Sequence, residues 1–141
     1  MRYLLDTNIL SEFIKIKPNE MVLSWLNKPP NDALYISVLS LGEIRKGLEK
    51  LPTSKKKELI RFWLEHTLQE WFGNDNILTV THRIADQWGR INAHSKKTLP
   101  AIESLIAATA IHHDLVLVTR NTADFNIPGF TVINPWHYHH A

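Results

Sequence analysis

The chain has 141 residues, 44% of them hydrophobic and 21% charged, the balance of a single globular domain over residues 1–141 rather than of a disordered chain. It has no cysteine, which excludes a disulfide framework, a thiolate zinc site and a cysteine nucleophile, and its net charge of +2 permits nucleic-acid contact without arguing for it. No apolar run approaches the ~18 residues of a membrane span, and Asp6 arrives too early for the apolar core of a signal peptide, so a cytoplasmic protein with no membrane partner is expected.

In chain order, Tyr3-Leu4-Leu5 reads as a short buried strand stopped by Asp6. Thr7 or Asn8 can cap the helix that follows, with Ile9, Leu10, Phe13 and Ile14 on its apolar face. Lys17-Pro18-Asn19 breaks it, and Met21, Val22, Trp25 and Leu26 form a second helical stripe. After a loop over Asn27–Asp32, Leu34–Ser37 reads as a strand and the segment from about Ser40 to Lys50 as a helix. Ser54 caps a long helix with Leu59, Ile60, Trp63, Leu64, Thr67 and Leu68 at helical spacing. A turn at Gly73–Asn76 leads to a strand at Ile77–Val80, then to a helix over about Thr81–Ser95 with Ile84, Ala85, Trp88 and Ile91 inward. Pro100 opens a helix over Ala101–His113. Leu115–Thr119 is apolar at every position before Thr119, as in parallel sheets covered on both faces. Thr131-Val132-Ile133 is a last short strand, and the His-rich end, residues 137–141, reads as a tail rather than a metal site.

Strands alternating with helices predict an α/β domain with a mostly parallel sheet, in which ligands bind outside the carboxyl ends of the strands. Asp6 follows the first strand. Glu43 lies on the helix after the second. Glu103 sits near the start of the late helix, and Asn121 and Asp124 follow the all-apolar strand. Each acid has an ordinary alternative: Asp6 as a helix cap, Glu43 as a solvated helix acid, Glu103 as a charge suited to a helix dipole, Asp124 as a turn residue. Taken together they form a set of carboxylates that would repel one another unless a cation neutralised them. An all-oxygen set favours Mg²⁺ or Mn²⁺, ions that polarise a phosphoryl oxygen and activate water toward a phosphodiester. Thr7, Asn8, Thr119 and Asn121 are the polar side chains placed to orient those carboxylates. The tryptophans are expected mostly in packing, and Lys55-Lys56-Lys57 on a solvated helix start.

Four segments carry a resemblance: Leu4-Leu5-Asp6-Thr7-Asn8-Ile9-Leu10-Ser11-Glu12, Ser37 to Ile44, Ser104 to Ala110, and Leu117 to Phe125. In this order and spacing they resemble the PIN domain, and more narrowly a VapC-type toxin of bacterial toxin–antitoxin pairs, with the ending Asn134-Pro135-Trp136-His137 similar to the FitB-like branch. The resemblance implies a three-layer α/β/α sandwich with a mostly parallel five-stranded sheet. It implies a Mg²⁺- or Mn²⁺-dependent endoribonuclease acting on tRNA or another structured RNA. Its partners would be a second copy of the chain and a cognate antitoxin, with operator DNA met only through the antitoxin. By the same resemblance Asp6, Glu43 and Glu103 are the metal-binding acids, Asp124 or Asn121 completes the set, and Thr7, Asn8 and Thr119 support it. Arg120, Lys96 and Lys97 are candidates for RNA phosphate contacts.

Glu103 stands where the family usually has aspartate, one methylene shorter. This leaves open an active enzyme, a naturally weak one, a deliberately disabled one, or a scaffold that mainly binds antitoxin or RNA. A phosphatase with Asp6 as nucleophile is a further alternative, but that chemistry usually wants a second acid two residues on, where this chain has Asn8.

Overall fold

Five short strands form one sheet in the order β3-β2-β1-β4-β5: β1 Tyr3–Leu5, β2 Leu34–Ser37, β3 Ile77–Leu78, β4 Val116–Val118 and β5 Val132–Ile133. Every pairing is parallel, with Leu4 opposite Leu117 and Leu5 opposite Val118. The computed structural model describes residues 1–138; the end of the His-rich tail lies outside the described residues. The helices are α1 Thr7–Glu12, α2 Glu20–Leu26, α3 Val38–Glu49, α4 Lys55–Phe62, α5 Leu68–Phe72, α6 His82–His94 and α7 Ala101–His112.

Period-two alternation in the strands builds the two cores. Leu5, Ile36 and Val118 point to the side carrying α1 to α5, where they meet Ile9, Leu10, Trp25, Ile44 and Leu64. Leu4 and Leu117 point the other way, onto Ile106, Ala107 and Ala110 of α7. The small residues of α7 let that helix lie close to the sheet, and α6 packs along it. Trp88 of α6 donates its ring N–H to Ser104 Oγ of α7 at 2.8 Å. The result is the expected three-layer α/β/α sandwich. Each fully buried Leu or Ile contributes about 1.5–3 kcal/mol.

Several local expectations shift. Ser37, not a residue near Ser40, opens α3, its hydroxyl accepting from the Leu39 N–H at 3.0 Å. Asp6, rather than Thr7 or Asn8, caps α1. The expected long helix after Ser54 is α4 and α5 joined by a wider π turn over Trp63–Thr67. Its buried residues, Ile60, Leu64, Leu68 and Phe72, stand four apart. In an α-helix each step of four overshoots a turn by about 40°, and the π turn takes up much of that drift. Leu59 is left 72% exposed and Thr67 also faces solvent. On α6, Ile84 is buried but Ala85 is exposed. Gly73, at φ 66°, ends α5 in a conformation an L side chain resists.

No helix among the described residues is long and apolar enough to cross a membrane.

Candidate active site

The chain builds β1, β2 and β3 to one side and then crosses back to place β4 on the other side of β1. The carboxyl ends of β1 and β4 therefore flank the point where the winding reverses, the usual ligand position in such sheets. Asp6 and Thr119 are the residues that follow those two strands. The Asp6 N–H still belongs to the sheet, donating to the Val118 carbonyl at 2.9 Å.

Asp6 is 3% exposed, and both its carboxylate oxygens are held. Oδ1 accepts from the Thr7 N–H at 2.7 Å, which caps α1, and Oδ2 accepts from Thr119 Oγ1 at 2.8 Å. Burial pushes the Asp6 carboxyl above its ordinary value; the Thr119 and Thr7 hydrogen bonds oppose that rise, and the neighbouring Glu43 charge adds to it. The Thr119 hydroxyl also accepts from Asn8 Nδ2 at 3.2 Å and from the Asn121 N–H at 3.1 Å.

Glu43 comes from α3, where Thr7 Oγ1 reaches it at 2.5 Å while lying 2.8 Å from Ser40 Oγ. Glu103 comes from the first turn of α7 and accepts from Asn121 Nδ2 at 2.9 Å. Desolvation raises the Glu103 carboxyl against the pull of the Asn121 bond, and the charges of Asp6, Asp124 and Glu43 raise it further. Hydrogen bonds through Thr7, Thr119 and Asn121 thus link the three acids, one after β1, one on α3 and one on α7. Asn8, Thr7, Thr119 and Asn121 are their hydrogen-bonding frame. Asp124 stands apart from that frame, because its Oδ1 takes the Lys97 ammonium at 2.7 Å. Asn121 is the residue of that pair that touches an acid of the site.

Arg120 is exposed, with its guanidinium carbon 5.0 Å from the Trp136 ring centre. Its backbone is fixed on both sides, the N–H by Asn8 Oδ1 at 3.3 Å and the carbonyl by Asn134 Nδ2 at 3.4 Å. Lys96 is exposed beside Lys97, in the connection between α6 and α7. Ser40 is an addition to the sequence-based candidates, whereas Asn134 and Trp136 belong to the ending that carried the resemblance and gain here a contact with Arg120 that the sequence did not assign. Ser40 stands three residues before Glu43, on the same helix face, and that spacing is the signal that finds it. Trp136 meets Arg120 from a separate segment, and no local pattern reports it.

The donors suit a divalent cation. They are oxygen ligands only, the class that Mg²⁺ and Mn²⁺ prefer. Among the described residues, neither Asp6, Glu43 nor Glu103 has a Lys or Arg ion-pair partner. Also among the described residues, no three acidic or imidazole side chains stand close enough to hold a metal unaided. Mg²⁺ does not require such a cage, since it usually keeps several waters and binds through one or two carboxylates plus substrate phosphates. A cation here would offset the desolvation, and the neighbouring carboxylate charges, that raise Glu103.

Known proteins share this fold. The PIN domain model matches residues 3–128. The chain is 35% identical over 137 residues to Toxin FitB of Neisseria gonorrhoeae, covering 95% of this chain and 98% of that one. It is 31% identical over 135 residues to VapC ribonuclease Y4jK of Sinorhizobium fredii, covering 94% and 96%. The solved structure of FitAB bound to the IR36 DNA fragment superimposes with a TM-score of 0.90 at 33% identity, covering 98% of each chain.

Proposed function

The chain belongs to the PIN-domain family, and from that premise we propose that it is the toxin of a toxin–antitoxin pair, an endoribonuclease dependent on Mg²⁺ or Mn²⁺. The observation that carries the reading is that one hydrogen-bonded frame, Thr7, Thr119 and Asn121, links Asp6, Glu43 and Glu103 from three separate segments at the carboxyl end of the sheet, with no Lys or Arg ion pair to any of them among the described residues. A full-length relative described as a ribonuclease supplies the reaction class.

Bound there, a divalent cation would polarise a phosphoryl oxygen of RNA and assist attack by water. Water adds to phosphorus, and one bridging ester oxygen leaves with a proton. The chain's own work is positional. Thr119 and Thr7 fix both oxygens of Asp6, Thr7 aims Glu43, and Asn121 aims Glu103. Asp124 acts through Lys97, with Lys97, Lys96 and Arg120 facing phosphates. The single domain works in the cytoplasm as a homodimer. A cognate antitoxin inhibits it, and operator DNA is reached only through that antitoxin.

Two other readings have specific marks. A binding scaffold with weakened catalysis is favoured by the longer arm of Glu103. An aspartyl phosphatase is disfavoured because the place two residues after Asp6, where that chemistry wants a second acid, carries Asn8, whose amide is engaged by Thr119 and the Arg120 N–H. The test is cleavage of bacterial RNA by antitoxin-free protein in Mn²⁺ and in EDTA. Discrete fragments that need Mn²⁺ and vanish in Asp6→Asn are expected. Partner binding without RNA turnover in either metal leaves the scaffold, and a phosphoaspartate trapped on Asp6 would establish the phosphatase.

A further inference from the structure

Beside the acidic site, between α6 and residues 123–128, lies a second concavity of about 700 Å³. Buried Leu99 and half-buried Ile91 and Ile127 give it an apolar lining. Cations surround that lining: Arg90, its side chain 75% exposed and paired with Asp86 at 3.1 Å, Lys97 at 57%, and Lys96, which has no ion-pair partner among the described residues. Two of the three are already paired, Arg90 with Asp86 and Lys97 with Asp124, which leaves Lys96 as the free cation of the rim among the described residues. The carboxamides of Gln87 and Asn126 also line it.

The concavity adjoins the acidic site. Lys97 and Asp124, which hold each other at 2.7 Å, both line it. The turn carrying Asp124 begins directly after Asn121, whose amide holds Glu103. An apolar slot with a cationic rim selects a flat, weakly polar body that carries an anion. The volume lies within the roughly 300–1,000 Å³ of small-molecule pockets. A nucleobase with its phosphate has that composition. Unpaired RNA bases are recognised by being splayed into such sites, packed on side chains and read along their edges by hydrogen bonds.

We propose that this concavity is a nucleotide subsite, holding one ribonucleotide of the RNA strand next to the bond that is cut. Its base lies among Ile91, Leu99 and Ile127, its edge meets Gln87 or Asn126, and its phosphate meets Lys96 and Arg90. The place of that nucleotide in a substrate rests on the ribonuclease reading; its binding does not. The subsite makes Ile91, Ile127, Gln87 and Asn126 determinants of sequence preference at the cut.

The test separates the two claims. Adenosine, guanosine, cytidine and uridine 5′-monophosphates, and inorganic phosphate alone, are titrated into the full chain in EDTA, followed by backbone amide NMR shifts. At least one nucleotide is expected to bind tenfold or more tighter than phosphate, with shifts concentrated in residues 87–97 and 123–128. Ala123→Trp, which fills the concavity from an exposed lining position, is expected to weaken that binding at least tenfold, and Lys96→Ala to weaken it several-fold. Equal affinity for phosphate and nucleotides overturns the subsite, as does an Ala123→Trp variant with unchanged affinity. If that variant instead changes the mass in light scattering while nucleotide affinity is unchanged, the concavity belongs to contact between copies. Because no metal is present, a protein that cleaves no RNA but binds nucleotides here loses the hydrolase reading and keeps the subsite. One that cleaves RNA but fails the titration loses the subsite alone.

Discussion

Thr119 Oγ1 sits 2.8 Å from Asp6 Oδ2, and this contact joins the ends of the two central strands at the acidic site. The same oxygen takes hydrogen bonds from Asn8 and Asn121, so one buried hydroxyl sets the position of a carboxylate and two amides. Thr119→Val keeps the shape and removes the hub. It should lower metal-dependent cleavage by about 10- to 100-fold, the usual effect of losing a partner that orients a ligand. It should also cost about 1–3 kcal/mol in urea unfolding, because Asp6 is left short of a donor. Thr119→Ser should recover most of the activity. Full activity in Thr119→Val would remove Asp6 orientation from the mechanism.

Glu103, where the sequence resemblance leads one to expect aspartate, has an arm one methylene longer, and Asn121 meets it at 2.9 Å. Since Mg²⁺ keeps waters that can adjust to a ligand's reach, loss of charge should matter more than loss of a methylene. Glu103→Gln should reduce cleavage by about 10²-fold or more, and Glu103→Asp should stay within about tenfold of the starting protein. Both are read in a single-turnover RNA assay across Mn²⁺ concentrations. A silent starting protein that gains activity in Glu103→Asp would mean that the longer arm disables this chain.

Glu12 is buried at the end of α1, paired with the Lys15 ammonium and accepting from the Asn19 N–H at 2.9 Å. Burial pushes its carboxyl up, but Lys15, the Asn19 N–H and the charge of Arg120 together outweigh burial and hold it below its ordinary value. A carboxylate whose folded value is depressed stabilises the fold above the unfolded-state value and loses that contribution as pH falls through the folded one. Glu12→Gln should therefore cost about 1–3 kcal/mol near pH 7. The gap in melting temperature from the unsubstituted chain should close as pH falls through and below the ordinary glutamate range. A gap that is constant or widens toward acid would show that packing, not charge, is what Glu12 contributes.

The strands are legible because each rests on a local signal, and the three acids can be singled out by their places beside those elements. Leu115 to Val118 is apolar without interruption, and Asp6, Glu43 and Glu103 stand next to apolar runs whose order defines the sheet. What escaped depends on partners distant in sequence. Asp6 can cap α1 and face the site at once because Thr119, from the other central strand, takes the oxygen that Thr7 does not. Whether Asp124 or Asn121 meets Glu103 turns on Lys97, which claims Asp124 from another loop. The π turn at Trp63–Thr67 was readable in principle, since Ile60, Leu64, Leu68 and Phe72 keep a spacing of four. Yet apolar Leu59 and Trp63 complete an ordinary helical pattern and conceal it.

Arg120 is the cation whose geometry is best defined beside the acids. Asn8 and Asn134 fix its backbone on either side, and its guanidinium lies over the Trp136 ring. It is exposed and has no ion-pair partner among the described residues, so its charge is available to a phosphate. Arg120→Ala should weaken binding of an RNA hairpin in EDTA across different sequences alike. It should also reduce the slope of log affinity against log salt by about 0.7–1, the signature of one lost phosphate contact. Trp136→Leu keeps the charge and removes the stacking, worth about 0.5–1 kcal/mol at an exposed site. It should lower affinity only a few-fold and leave the salt slope unchanged. A slope that falls equally in both variants would mean that Trp136 acts by holding the whole C-terminal segment in place, and an unchanged slope in Arg120→Ala would remove Arg120 from the RNA contact.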